Sequence, residues 1–229
     1  MAMVVCEDVT KTYTQGSVPV HALRGVSVTI DRGGFVALAG PSGSGKTTLL
    51  NLIGGLDAPD SGTVSVGGRV LSDMSQSALA ELRLNTIGFI FQAYNLIPVL
   101  SAQENVEYVM LMQGVGARER RQRSRAILDD VGLSGLYERR PAELSGGQQQ
   151  RVAVARAVVS GPSIVLADEP TANLDSDTGR GLLEMMCEMN RQRGVTFIFS
   201  THDRMVMDYA QRIIRIKDGR VDGEAGGAT

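Results

Sequence analysis

Only two cysteines, Cys6 and Cys187, occur in this 229-residue chain, which excludes a disulfide framework and a thiolate zinc cluster. Charge of one sign is not in excess either: Lys and Arg number 23, Asp and Glu 25, for a net charge of −2. No global basic field exists to hold nucleic acid or a membrane surface without specificity, so a nucleic-acid partner is not expected. No apolar run approaches the roughly 18 residues that a membrane span needs. The opening Met1-Ala2-Met3-Val4-Val5-Cys6-Glu7-Asp8 meets acidic residues too soon for a secretion signal. Internal repeats, heptad runs and long linkers are missing. A soluble intracellular chain is expected. Hydrophobic residues at 43% and charged residues at 21% are ordinary globular proportions, so disorder as the main state is excluded as well.

What is present is an alternation of short apolar runs with amphipathic segments, the pattern of an α/β fold. Phe35–Ala39, Ile164–Ala167 and Thr196–Phe199 are mostly apolar, too short for helices, and end at polar or glycine residues, as buried strands do. Val26–Ile30 and Thr63–Val66 alternate and read as half-exposed antiparallel strands, and Ile213–Val221 reads as a hairpin around Asp218-Gly219. From about residue 75 to 160 the spacing turns helical, with Ser77–Leu84, Ala102–Gln113 and Ala117–Val131 as the clearest segments. The expected organisation is one domain over residues 1–229. It has a helical subdomain at about 75–160 and a Gly- and Ala-rich flexible tail at about 222–229.

Gly40-Pro41-Ser42-Gly43-Ser44-Gly45-Lys46-Thr47 matches the phosphate-loop pattern G-x-x-x-x-G-K-[ST], with Thr48 next and a strand before it. The glycines let main-chain N–H groups wrap a polyphosphate, and the helix from Lys46 to Leu52 adds its positive end. Lys46 is placed to neutralise β- and γ-phosphates and the Thr47 hydroxyl to hold Mg²⁺. ATP and Mg²⁺ are the ligands expected. Asp168 and Glu169 end the apolar run Ile164–Ala167; in phosphate-loop chemistry such an Asp holds the metal, and the neighbouring Glu polarises the attacking water. Taken alone, an acid pair at a strand end is as readily a helix cap.

Leu144-Ser145-Gly146-Gly147-Gln148 reads locally as a capping box, Ser145 with Gln148, at the start of a helix. Two glycines in its first turn also leave bare N–H groups beside a serine hydroxyl, a second anion site. With this segment ahead of the acid pair, the chain resembles the ATP-binding-cassette (ABC) ATPases. The resemblance runs from about Val4 to Val221 and implies an α/β phosphate-loop NTPase fold of the ABC-cassette type. Its core would be a mixed sheet, with an antiparallel β subdomain and a helical insertion carrying the signature motif.

The resemblance further implies a homodimer, packed head to tail, in which each ATP lies between one phosphate loop and the signature Ser145-Gly146-Gly147-Gln148 of the other copy. It implies that Gln92 senses metal, water and membrane partner, that Asp175 and Ser145 meet the dimer interface, and that His202 contacts the γ-phosphate alongside the catalytic Glu169. Tyr13 stands where the family stacks an aromatic ring on adenine. Tyr94, Leu96 and Ile97, just after Gln92, stand where the family receives a short helix of an integral-membrane permease. Phe91 to Pro98 with Glu104-Asn105-Val106-Glu107, and Glu143 to Arg151, look like the LolD/MacB subgroup, the lipoprotein-releasing and MacB-type exporter ATPases. Such an ATPase would sit on the cytoplasmic face of the plasma membrane through its permease. A membrane-associated ABC ATPase with a regulatory or scaffold role, as in cell division, is the alternative. The basic run Arg118 to Arg125 reads as a solvated helix face.

Overall fold

Strand β3, Phe35–Ala39, is buried at every position, and that fixes its place. A strand with no polar face must lie inside a sheet covered on both sides. The computed structural model describes residues 1–16 and 18–226. Before β3 come two long strands, β1 (Ala2–Gln15) and β2 (Val18–Asp31). Then follow α1 (Lys46–Ile53), β4 (Ser61–Val66), β5 (Arg69–Val70), α2 (Gln76–Thr86) and β6 (Ile87–Ile90). The second half holds α3 (Ala102–Met112), α4 (Ala117–Asp130), α5 (Gly146–Val158), β7 (Ile164–Asp168) and α6 (Ser176–Arg193). It closes with β8 (Thr196–Thr201), α7 (Arg204–Tyr209), β9 (Arg212–Lys217) and β10 (Arg220–Gly226).

Two sheets result, one of four strands in the order β2-β1-β4-β5 and one of six in the order β10-β9-β3-β8-β7-β6. The first is antiparallel; the second is parallel from β9 to β6, with β10 antiparallel at its edge. This is the mixed core with an antiparallel β subdomain that the resemblance implies.

Side-chain alternation in the six-stranded sheet sorts its residues between two cores. Phe35, Val165, Phe197 and Phe199 face a cluster with Val106, Met110, Leu128, Val152, Leu182 and Met186 of α3–α6. Val36, Leu38, Leu166 and Ile198 face the other way, against Leu49, Leu52 and Ile53 of α1 and Val4, Val26 and Val64 of the antiparallel sheet. The Phe35 ring lies 4.6 Å from Phe199 and 5.5 Å from Phe197, centroid to centroid. Truncating a ring packed this way to alanine costs about 3–5 kcal/mol.

The structure departs from the sequence expectations in two places. The helical region is interrupted by β6, which joins the parallel sheet beside β7. Residues 222–226, expected to fray with the tail, continue β10, where Gly223 to Gly226 pair with Arg215 to Arg212 of β9. The edge register compensates for the poor strand formers there; residues 227–229 lie outside the described residues. No described helix is long and apolar enough to cross a membrane.

Candidate active site

The phosphate loop leaves the end of β3, where the strand order reverses between β8 and β9; such switch points are where open α/β sheets bind ligands. Gly40 and Gly45 are fixed by crowding: a Cβ at Gly40 would run into the Ile216 carbonyl, and at Gly45, where φ is +103°, into the Ala22 carbonyl. The Lys46 ammonium is buried and donates to the Gly40 and Pro41 carbonyls, both at 2.8 Å. Burial lowers its pKa, against the opposing pull of Glu169 and Asp168. The Ser44 hydroxyl is buried with no partner, a spare polar group beneath the loop.

Across the loop, the Thr47 hydroxyl donates to Asp168 Oδ1 at 3.0 Å. Glu169 has φ of +45°, and its N–H donates to the Ser200 carbonyl at 2.9 Å, so the chain leaves β7 with a sharp twist that aims the side chain. Its carboxylate accepts from the Thr201 hydroxyl at 3.2 Å and lies 2.7 Å from His202 Nδ1. One pocket is lined by Pro41, Ser42, Gly43 and Gly45 through Thr48, together with Gln92, Asp168, Glu169 and His202. Its remaining wall, Val20, His21 and Ala22, carries no sequence signal, because a strand of the antiparallel sheet reaches it only through tertiary packing.

The donor set fits a magnesium nucleotide: a hydroxyl and a carboxylate already bonded to each other, a buried ammonium, and a glycine-lined turn at a helix start. Tyr13 is not part of the pocket lining. It pairs in register with Val20 at the rim, is 39% exposed, and donates to Asp57 Oδ2 at 2.8 Å.

Ser145, Gly146, Gly147 and Gln148 do not line this pocket. The capping box is complete: Ser145 Oγ accepts from the Gln148 N–H at 3.3 Å, and Gln148 Oε1 accepts from the Ser145 N–H at 2.9 Å. Both glycines also have packing reasons, since a Cβ at Gly146 would lie 2.9 Å from the Tyr94 hydroxyl and one at Gly147 2.5 Å from Thr178 Cγ2. Asp175 caps α6, accepting from the N–H groups of Asp177 and Thr178 and from the Thr178 hydroxyl at 2.6 Å. That hydroxyl, chiefly, holds its carboxyl below the usual value.

All three residues expected to meet a membrane partner, Tyr94, Leu96 and Ile97, are half-buried, and Leu96 packs in part against the core. An apolar groove lies beside them, lined by Leu56, Phe89, Phe91, Tyr108 and Met112, with Asn95 and Arg156 also in its wall. Arg156 donates from its guanidinium to the Asn95 carbonyl and, at 2.8 Å, to the Tyr94 carbonyl. Asn105 clamps the same segment, donating to the Ile97 and Leu100 carbonyls at 3.2 and 3.1 Å.

A phosphate loop at a switch point, facing an acid pair and a histidine across one pocket, defines a phosphate-loop nucleoside triphosphatase. Residues 23–172 match the model of the ABC transporter family. An uncharacterised ABC transporter ATP-binding protein of Thermotoga maritima is 48% identical over 216 residues, 94% of this chain and 92% of that protein. A macrolide export ATP-binding/permease protein MacB of Syntrophobacter fumaroxidans is 45% identical over 228 residues, 99% of this chain but 32% of that protein. The chain thus spans about a third of the length of the MacB relatives it matches. Among solved structures, the dimeric cassette MJ0796 is 42% identical with a TM-score of 0.92, covering 98% of both chains. A post-hydrolysis dimer of that cassette bound to ADP and phosphate gives 0.91. The chain belongs to the ABC transporter family and is its ATP-hydrolysing, nucleotide-binding cassette.

Proposed function

We propose that this chain binds ATP with Mg²⁺, closes head to tail on a second copy, and hydrolyses ATP to drive a separate membrane permease of the MacB or lipoprotein-releasing type. One observation carries the reading: Lys46, Thr47, Gln92, Asp168, Glu169 and His202 converge on one pocket to which Ser145–Gln148 contribute nothing. A signature turn with free N–H groups outside its own pocket is complementary to the phosphate loop of another copy, and a two-fold pair uses both turns at once. The dimeric MJ0796 structures support that pairing.

Within each half-site, Lys46 exchanges the Gly40 and Pro41 carbonyls for β- and γ-phosphate oxygens. Thr47, Asp168 and Gln92 would hold Mg²⁺, which when bound draws charge from the phosphate oxygens. Glu169 takes a proton from water as its oxygen attacks the γ-phosphorus and the bond to the β-phosphate oxygen breaks. Thr201 and His202 hold the Glu169 carboxylate in place, and His202 reaches the γ-phosphate from the same side. Tyr13, at the rim, stacks on adenine.

The apolar groove between Phe89, Tyr108 and Met112 is the seat for a cytoplasmic segment of the permease. The MacB relatives, which by name join ATP-binding and permease parts in one chain, support a membrane partner and a place on the cytoplasmic face of the membrane. The test uses Glu169→Gln. Its turnover should fall about 10²- to 10⁴-fold, the range for loss of a general base, while ATP still binds and an ATP-bound dimer accumulates on size exclusion. The tagged variant, drawn from detergent-solubilised membranes with ATP and Mg²⁺, should bring down a permease. Wild-type turnover would remove Glu169 as the base, and recovery of soluble chains alone would overturn the permease assignment.

A further inference from the structure

Beside the nucleotide pocket stands a polar cluster that neither phosphate binding nor hydrolysis uses. Asp57, in the turn after α1, accepts three hydrogen bonds: from the Tyr13 hydroxyl at 2.8 Å, the Lys11 ammonium at 2.8 Å and the Ala58 N–H at 2.7 Å. Lys11 also donates to the Ala58 carbonyl at 2.7 Å and lies 3.9 Å from Asp60 Oδ1. Lys11 and Tyr13 share one face of β1, and the ammonium stands 5.3 Å from the centre of the Tyr13 ring. The strand itself is pinned to the same turn, since the Thr12 N–H donates to Asp60 Oδ2 at 2.7 Å and the Asp60 N–H to the Thr10 carbonyl at 2.9 Å.

This arrangement fixes both ends of a tyrosine. The backbone holds Cα, and Asp57 holds the phenol oxygen, so the ring can neither swing about its first torsion nor tip out of plane without breaking a bond to a carboxylate. We propose that Asp57, steadied by Lys11, is a positioning residue that presets the Tyr13 ring as a platform for the base and so governs how tightly the site holds ATP over a bare polyphosphate. The inference rests on the reading of Tyr13 as the surface on which adenine stacks.

Three observations carry it. Tyr13 stands beside the pocket, paired in register with Val20, which lines it. The ring is 39% exposed, enough to accept a flat partner. The carboxylate is ionised when it matters: burial pushes Asp57 up, but the bonds from Lys11, Tyr13 and Ala58 outweigh it and leave the group below the usual carboxylate value. A ring ordered before the ligand arrives spares the ordering cost that a free rotamer imposes on binding. Because Asp57 follows the helix that begins at Lys46, one segment sets the phosphate end of the site and, through this latch, the base end.

Calorimetry with Mg-ATP and with inorganic triphosphate separates a latch from a brace. Tyr13→Phe keeps the ring and removes the tether; Asp57→Ala removes the anchor. Each should weaken ATP by about three- to tenfold, the cost of ordering one rotamer-rich side chain, and leave triphosphate affinity unchanged. The double variant should be no weaker than Asp57→Ala alone, because both remove the same bond. Equal losses for both ligands in Asp57→Ala would make it a structural brace and overturn the latch. Wild-type ATP affinity in Tyr13→Phe, beside a clear loss in Tyr13→Ala, would overturn the latch and leave the platform standing. An unchanged ratio of ATP to triphosphate affinity in Tyr13→Ala would remove the platform, and the latch with it. Should Asp57→Ala fail to fold, Tyr13→Phe decides alone.

Discussion

The side-chain amide of Asn173 donates to the main-chain carbonyl of Gln92 at 2.9 Å, joining the turn after the acid pair to the loop after β6. These segments are far apart in the chain and touch the pocket from different sides. Arg156 holds the next carbonyls of the same loop, at Tyr94 and Asn95, from the far end of the helix that Ser145 opens. The position of Gln92 is thereby set through its own carbonyl and the carbonyls after it; among the described residues, no side-chain bond from its amide contributes.

Asn173→Ala should therefore loosen Gln92 without touching the phosphate loop. We expect turnover to fall while the dissociation constant for ATP stays within twofold, and the fold to lose only about 1 kcal/mol, the net worth of one hydrogen bond. Steady-state kinetics beside calorimetry reads both; a matching loss of ATP affinity would contradict the assignment.

Removing the ammonium at Lys46 has the opposite signature. Lys46→Ala should weaken ATP by at least about thirtyfold, roughly the 2 kcal/mol of a charge-assisted contact. The melting temperature should hold or rise, because burial already disfavours the charge. Unchanged affinity by calorimetry would sink the phosphate-loop assignment.

Gly147→Ala places a methyl 2.5 Å from Thr178 Cγ2. Thr178 cannot turn aside cheaply, since its hydroxyl is held by Asp175 at 2.6 Å and its side chain is β-branched. We expect a loss of about 1–3 kcal/mol, typical of overpacking, in urea unfolding. Thr178→Ser, which deletes the offending methyl and keeps the hydroxyl, should restore most of it.

Burial pushes the Cys6 thiol up to about 12 from its ordinary value of 9.0. The folded chain then keeps a proton that the unfolded chain releases, so this contribution is full below pH 9 and is lost as pH rises towards 12. The slope approaches 1.4 kcal/mol per pH unit, roughly, within that window. Urea midpoints between pH 8 and 10.5 should fall more steeply in the wild type than in Cys6→Ala.

What was legible in the sequence was local. β3, β7 and β8 are built around short apolar runs because both faces of their sheet are covered, and the phosphate loop and capping box are contiguous motifs. β6 was hidden because α2 runs straight into it at Ile87 with no breaker between. β1 was hidden by its bulges, with Asp8 at φ +49° interrupting the alternation between Cys6 and Val9. β10 carries glycine and alanine at an edge, where pairing with β9 outweighs propensity. His21, in the pocket wall, and Asp57, beside the pocket, could not be found by motif. Their side chains bond across strands and turns, His21 to Thr12 on the neighbouring strand and Asp57 to Tyr13, 44 residues away. Leu96 packs one side against the core while staying partly exposed, a division that an apolar loop pattern does not reveal.

The placement of β3 has a further consequence in time. Its neighbours on either side are β8 and β9, so the strand that launches the phosphate loop is flanked only by segments made more than half the chain later. During synthesis, Phe35–Ala39 emerges early, apolar on every side and with both edges unpaired, and has no sheet to enter until residues 196–217 arrive. The antiparallel sheet, whose strands all lie within residues 2–70, can form first and shelter it through the core they share. Nucleotide binding thus has to wait for β9, and a ribosome-bound chain truncated before β9 should be unable to retain ATP.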